Sequence, residues 1–96
     1  MNYIHVDRPG WKRQFQENGI IRIIIDRFTS SFAVSNTMSM ICADIKKTFK
    51  EKVYCNLCAT NEIGDVVVKG RKARELVQSN PEHYRLEIIC RSKDVT

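Results

Sequence analysis

Residues 38–51 read MSMICADIKKTFKE, and their apolar members Met38, Ile41, Cys42, Ile45 and Phe49 recur at i, i+3, i+4, i+7 and i+11. At about 100° per residue these five side chains share one face of a helix. Asn36 or Ser35 can cap its start, because a short polar side chain there accepts a bond from an otherwise orphaned backbone N–H. Strand-like runs stand on both sides of this helix in the chain. It therefore reads as the element packed across a small sheet.

Upstream, residues 20–28, IIRIIIDRF, form the strongest strand pattern, rich in β-branched residues. Ile21, Ile23 and Ile25 point one way, toward the helix, while Arg22, Ile24, Asp26 and Phe28 point the other. Residues 29–31 turn the chain without a glycine, and residues 32–35 read as a short return strand with Phe32 and Val34 inward. The two would pair as an antiparallel hairpin. Residues 1–19 read as a polar, irregular extension broken at Pro9-Gly10, with Trp11 closing one end of the core.

Downstream of the helix, which should end near Lys52, residues 53–60, VYCNLCAT, alternate again. Val53, Cys55, Leu57 and Ala59 take one face, and Tyr54, Asn56, Cys58 and Thr60 the other. A turn over 61–64 leads to a strand over 65–69. Residues 71–78 read as a short helix with Ala73, Leu76 and Val77 inward, stopped before Pro81. The last strand, 84–91, YRLEIICR, turns Tyr84, Leu86, Ile88 and Cys90 inward. The order β-β-α-β-β-α-β, with helices on one face of a sheet, is an α+β arrangement. The boundaries are an extension over 1–19 and a single domain over 20–96.

The chain has 96 residues, enough for one core without staples. No run reaches the roughly 18 apolar residues of a membrane span. The first fourteen residues hold no apolar signal region, which makes a reduced compartment, cytoplasmic or nuclear, the default. Sixteen basic against eleven acidic residues give a net charge of +5. That balance favours an acidic partner: a protein face, nucleic acid or an anionic membrane surface.

Cys55 and Cys58 form a C-x-x-C, but three residues apart on a strand they face opposite ways, which suits neither a zinc site nor a redox pair. His5 and His83 stand beside no patterned nucleophile or carboxylate, and the four glycines form no phosphate loop. Nothing here points to an enzyme, a metal or a cofactor. The basic groups are better organised. Lys46 and Lys50 lie one turn apart on a flank of the long helix, with Lys47 further round, and Arg22 and Arg27 belong to the first strand. A second cluster, Lys69, Arg71, Lys72 and Arg74, surrounds the start of the short helix, where cations sit poorly against the helix dipole.

The pieces IIRIIIDRFTSSFAVS, TMSMICADIKKTFKEK, YCNLCAT and YRLEIICR, in that order over residues 20–91, resemble the ubiquitin fold (β-grasp), and within it the Ras-association and Ras-binding domains. The resemblance implies a mixed sheet packed on one long helix. It also implies a non-catalytic interaction module whose second strand pairs edge to edge with a small GTPase of the Ras type. Carried over by position, the contact residues are Arg22, Arg27, Ser31, Ala33, Lys46, Lys47 and Lys50. The chain ends RSKDVT, without the di-glycine of a conjugated modifier. Two other readings stand beside this one. A nucleic-acid-binding domain would use Lys69, Arg71, Lys72 and Arg74 on phosphates, with Trp11 or Tyr54 stacked on bases. An oligomerisation domain would use exposed Ile24, Phe28, Met40 and Ile89 as a self-interface.

Overall fold

The computed structural model describes residues 8–93. The elements run α1 (Arg8–Asn18), β1 (Ile20–Ile25), α2 (Ser31–Phe49), β2 (Val53–Thr60), β3 (Val66–Lys69), α3 (Arg71–Ser79) and β4 (Arg85–Ser92). Four strands in the order β1-β4-β2-β3 make one sheet, and every neighbouring pair is antiparallel. The helices cover one of its faces, so the α+β layering read from the sequence holds.

Three expectations are corrected. The first concerns residues 8–18, which are helical rather than irregular. Trp11 and Phe15, one turn apart, are 3% and 4% exposed, and the Phe15 and Phe49 rings lie 5.2 Å apart. Gly19, at φ +68°, donates its N–H to the Phe15 carbonyl at 2.8 Å and turns the chain into β1. That left-handed conformation is one a side chain resists. Trp11 does sit in the core as its aromatic character suggested.

The second correction removes the return strand. Residues 32–35 belong to α2, which starts at Ser31 and has Ser30 as its cap, with Ser30 Oγ accepting from Ala33 N at 3.2 Å. The helical face explains why: Ala33, Val34, Thr37, Ile41 and Ile45 are all buried, whereas Phe32 is 77% exposed. A strand would have turned Phe32 and Val34 the same way. Thr37 satisfies its own hydroxyl by donating to the Ala33 carbonyl at 2.8 Å. The glycine-free turn before the helix is closed by Asp26, whose Oδ1 accepts from Phe28 N and whose carbonyl accepts from Thr29 N. The helix ends at Phe49, and Lys50, at φ +57°, donates its N–H to Lys46 O.

The third correction follows from the second. The order is α-β-α-β-β-α-β, and the sheet is antiparallel rather than mixed. Without a return strand the chain enters α2 straight from β1 and comes back as β2, running the same way as β1. β4 lies between them, antiparallel to both, in register from Ile20↔Arg91 to Ile25↔Leu86 on one side and from Val53↔Ser92 to Thr60↔Arg85 on the other. The second expected hairpin exists as β2–β3. Its turn is fixed by Asn61 Oδ1, which accepts from Ile63 N and Asp65 N, and by Gly64 at φ +89°.

Between sheet and helices the core gathers Ile21, Ile41, Ile45, Ala59, Leu86 and Ile88, each at most 1% exposed. The alternation read for β2 and β4 and the inward face of α3 stand as expected.

Candidate functional site

No helix of the described residues is long and apolar enough to cross a membrane. Among those residues no three His, Cys, Asp or Glu side chains gather where a metal ion could be held. What the fold offers instead are three surfaces: a corner where β1 meets α2, the far end of α2, and the sheet face that no helix covers.

The corner collects residues from both sequence-derived sets. Arg27 lies over the Phe28 ring at 4.6 Å, and its carbonyl accepts from Gln78 Nε2. Arg74 Nη1 donates to Ser31 Oγ at 3.1 Å, which brings a member of the α3 cluster to the start of α2. Ile24 and Phe28, 61% and 66% exposed, line one cleft with Val77, Pro81 and Tyr84. Phe32 stands exposed in the first turn of α2. Ala33 is not available to a partner. It is 8% exposed, and its N–H is bonded to Ser30, so no strand edge exists at Ser31 or Ala33. The free edge in this region is that of β1, an outer strand. There Arg22 N donates outward to Gln14 Oε1 at 3.3 Å, and by the two-residue alternation Ile24 faces the same edge.

Lys46, Lys47 and Lys50 are exposed but remote. Fifteen residues at 1.5 Å each put Lys46 about 22 Å along α2 from Ser31. The set carried over by position therefore does not gather: Arg27, Ser31 and Ala33 lie at the start of α2, the three lysines at its far end, and Arg22 on β1. Arg71 and Lys72 are exposed at the start of α3, next to Gly70, which supplies no side-chain cap. Ile89, counted among the exposed apolar residues from sequence, is 4% exposed, so the self-interface loses it.

On the uncovered face, Glu87 is the only carboxylate at a strand position among the described residues, and it is 5% exposed. Arg22 Nε and Nη2 donate to its two oxygens at 3.2 and 2.8 Å, and Thr60 Oγ1 donates to Oε2. Arg22 Nη2 also reaches the Gly64 carbonyl at 2.8 Å. The hydrogen bonds that Arg22 donates to the Glu87 carboxylate raise the guanidinium pKa above its ordinary value. Arg22 is thus committed to an internal network. Beside it lies a dip of about 250 Å³ lined by Tyr54, Asn56, Cys58, Lys69, Ile89 and Arg91.

The C-x-x-C divides between the faces as its spacing required. Cys55 points inward and is disulfide-bonded to Cys90, its register partner on β4, with Cys42 Sγ 3.4 Å from Cys55 Sγ. Sequence reasoning placed Cys42, Cys55 and Cys90 inward but had no register to bring them together. Cys42 and Cys58 are free thiols, and burial pushes both above the ordinary thiol range. A folded pKa raised above the unfolded one means that the contribution is complete below the unfolded value of about 8.5 and is lost as pH rises from there through the folded value. Urea unfolding should accordingly give constant thiol-linked stability up to about pH 8. Beyond that, Cys58 should contribute a decline of up to about 1.4 kcal/mol per pH unit. Cys58→Ala should flatten the decline, and a variant that tracks the parent through pH 10 would refute the assignment.

No protein-family model, no curated protein and no solved structure matches this chain.

Proposed function

We propose that the chain is a non-catalytic protein-interaction module whose contact surface is the β1–α2 corner. The observation that carries this reading is the exposed pair Ile24 and Phe28 in one cleft at the free edge of β1, with the Arg27 guanidinium stacked on Phe28. Aromatic and arginine side chains around a small apolar centre are the residue types on which binding energy concentrates. An outer strand offers its edge to a partner strand once the Gln14 side chain, which accepts from Arg22 N, is displaced. The excess of basic residues selects a partner with an acidic face. A Ras-like small GTPase, which offers both an edge strand and an acidic switch surface, fits these requirements, in a cytoplasmic or nuclear setting. Edge pairing beside basic residues is the contact mode that the Ras-association resemblance implied; the return strand it needed is helix here, and β1 takes its place.

The test is titration of purified Ras-like GTPases, loaded with GDP or with a non-hydrolysable GTP analogue, into the wild-type chain. The triphosphate form of at least one should bind, and Arg27→Glu or Phe28→Asp should weaken binding at least about tenfold, the usual size of a contact at a binding centre. Lys46→Glu, at the far end of α2, should lower only the association rate at low salt. A silent panel would remove the GTPase partner. Binding indifferent to Arg27 and Phe28 would remove the corner.

A further inference from the structure

The uncovered sheet face carries charge and aromatic surface that neither the fold nor the corner uses. Tyr54 is 60% exposed on β2, and its register partner on β4 is Arg91, so the two side chains stand together on this face. Asn56 follows two residues along β2, and then comes Cys58, whose register partner on β3 is Lys69. Tyr54 and Cys58 are four residues apart, about 13 Å along the strand. A cation therefore stands at each end of the dip, with an aromatic ring and an amide between them. Neither Lys69 nor Arg91 has a carboxylate within 4.0 Å among the described residues, and Glu87 on the same face is bonded to Arg22 and Thr60.

We infer that this face binds single-stranded nucleic acid. Tyr54 stacks on one base, the Asn56 amide meets a base edge, and Lys69 and Arg91 hold phosphates on either side of a dinucleotide. The charge is complementary, the spacing follows the strand register, and an open sheet admits a single strand lying flat where a duplex would not reach the ring. The cluster Lys69, Arg71, Lys72 and Arg74 contributes Lys69 alone, since Arg74 turns to Ser31 and the other two lie beyond the sheet on α3.

Fluorescence anisotropy with a labelled twelve-nucleotide oligouridine, with its thymidine counterpart and with a duplex of equal length tests the inference. The single strands should bind at low salt and weaken with a logarithmic salt slope of about −1.4, for two phosphates at about −0.7 each. Arg91→Glu should weaken binding at least about tenfold and flatten the slope. Tyr54→Ala should weaken it about tenfold with the slope unchanged, because stacking is not ionic. Both side chains are exposed, so neither variant should disturb folding, and circular dichroism checks that. Absence of binding at low salt, equal binding of the duplex, or loss only in Arg71→Glu/Lys72→Glu would each overturn the inference. These outcomes are independent of the corner variants, because Arg27 and Phe28 take no part in the dip.

Discussion

Adding a thiol reductant to the oxidised protein should lower its unfolding free energy by about 4 kcal/mol. Cys55 and Cys90 lie 35 residues apart in sequence, and the bond between them ties β2 to β4 in the middle of the sheet. In the chain-entropy account, closing a loop of that length in the unfolded state removes freedom equivalent to about 4 kcal/mol at 25 °C. Small domains have only about 5–15 kcal/mol in total, so the melting temperature should fall by well over ~10 °C. Calorimetry with and without reductant measures it, and Cys55→Ala should melt with the reduced protein and ignore reductant. An unchanged melting temperature in the wild type would show that the bond contributes nothing. In a reducing compartment the pair stands as two thiols. The same difference then measures the stability the chain does without there.

Arg22→Ala should cost about 2–3 kcal/mol, a large effect for a residue on an open sheet face. The substitution leaves the Glu87 carboxylate, 5% exposed, with Thr60 as its remaining partner. Breaking a fully buried pair costs about 3–5 kcal/mol. The estimate here is lower because the Arg22 side chain is 40% exposed and water screens part of the interaction. Losing the bond to the Gly64 carbonyl should also loosen the β2–β3 turn, visible as faster amide exchange at residues 61–65. A double variant, Arg22→Ala/Glu87→Leu, removes both the charge and its need for a partner. It should regain most of the loss in urea unfolding. A single variant within about 0.5 kcal/mol of wild type would mean that solvent already satisfies Glu87.

The parts of the fold that could be read from sequence are those whose periodicity was long enough to exclude the alternative. Eight alternating residues in VYCNLCAT permit only a strand, and Ile41 and Ile45 with their neighbours permit only a helix. Phe32 and Val34, two apolar residues around one small one, satisfy either period. Placing the cap at Ser35 or Asn36, where the structure has it at Ser30, then decided the topology. In α1 only Trp11 and Phe15 report the buried face among polar neighbours. The better signals were Pro9 near its start and Gly19 just past its end, the asymmetry that brackets many helices. The sites were less legible still. Arg74 meets Ser31 across 43 residues and Arg22 meets Glu87 across 65, and no local pattern encodes such encounters. The cysteines make the same point. Scattered in sequence, three of the four converge in space.

The place of β4 has a consequence for how the chain is made. It is a central strand, and of the four described strands it is the last to be synthesised. β1 and β2 touch it on either side and not each other, and Ile20 finds its partner 71 positions later at Arg91. Until residues 85–92 have left the ribosome, the nascent chain holds one local hairpin, β2–β3, and an unpaired isoleucine strand. Contacts so distant in sequence form slowly, and an exposed apolar strand waiting for its partner is a template for aggregation. A ribosome that stops before Arg85 therefore releases two separated sheet fragments with nothing to join them, which is the form of this chain that chaperones and proteases would meet first.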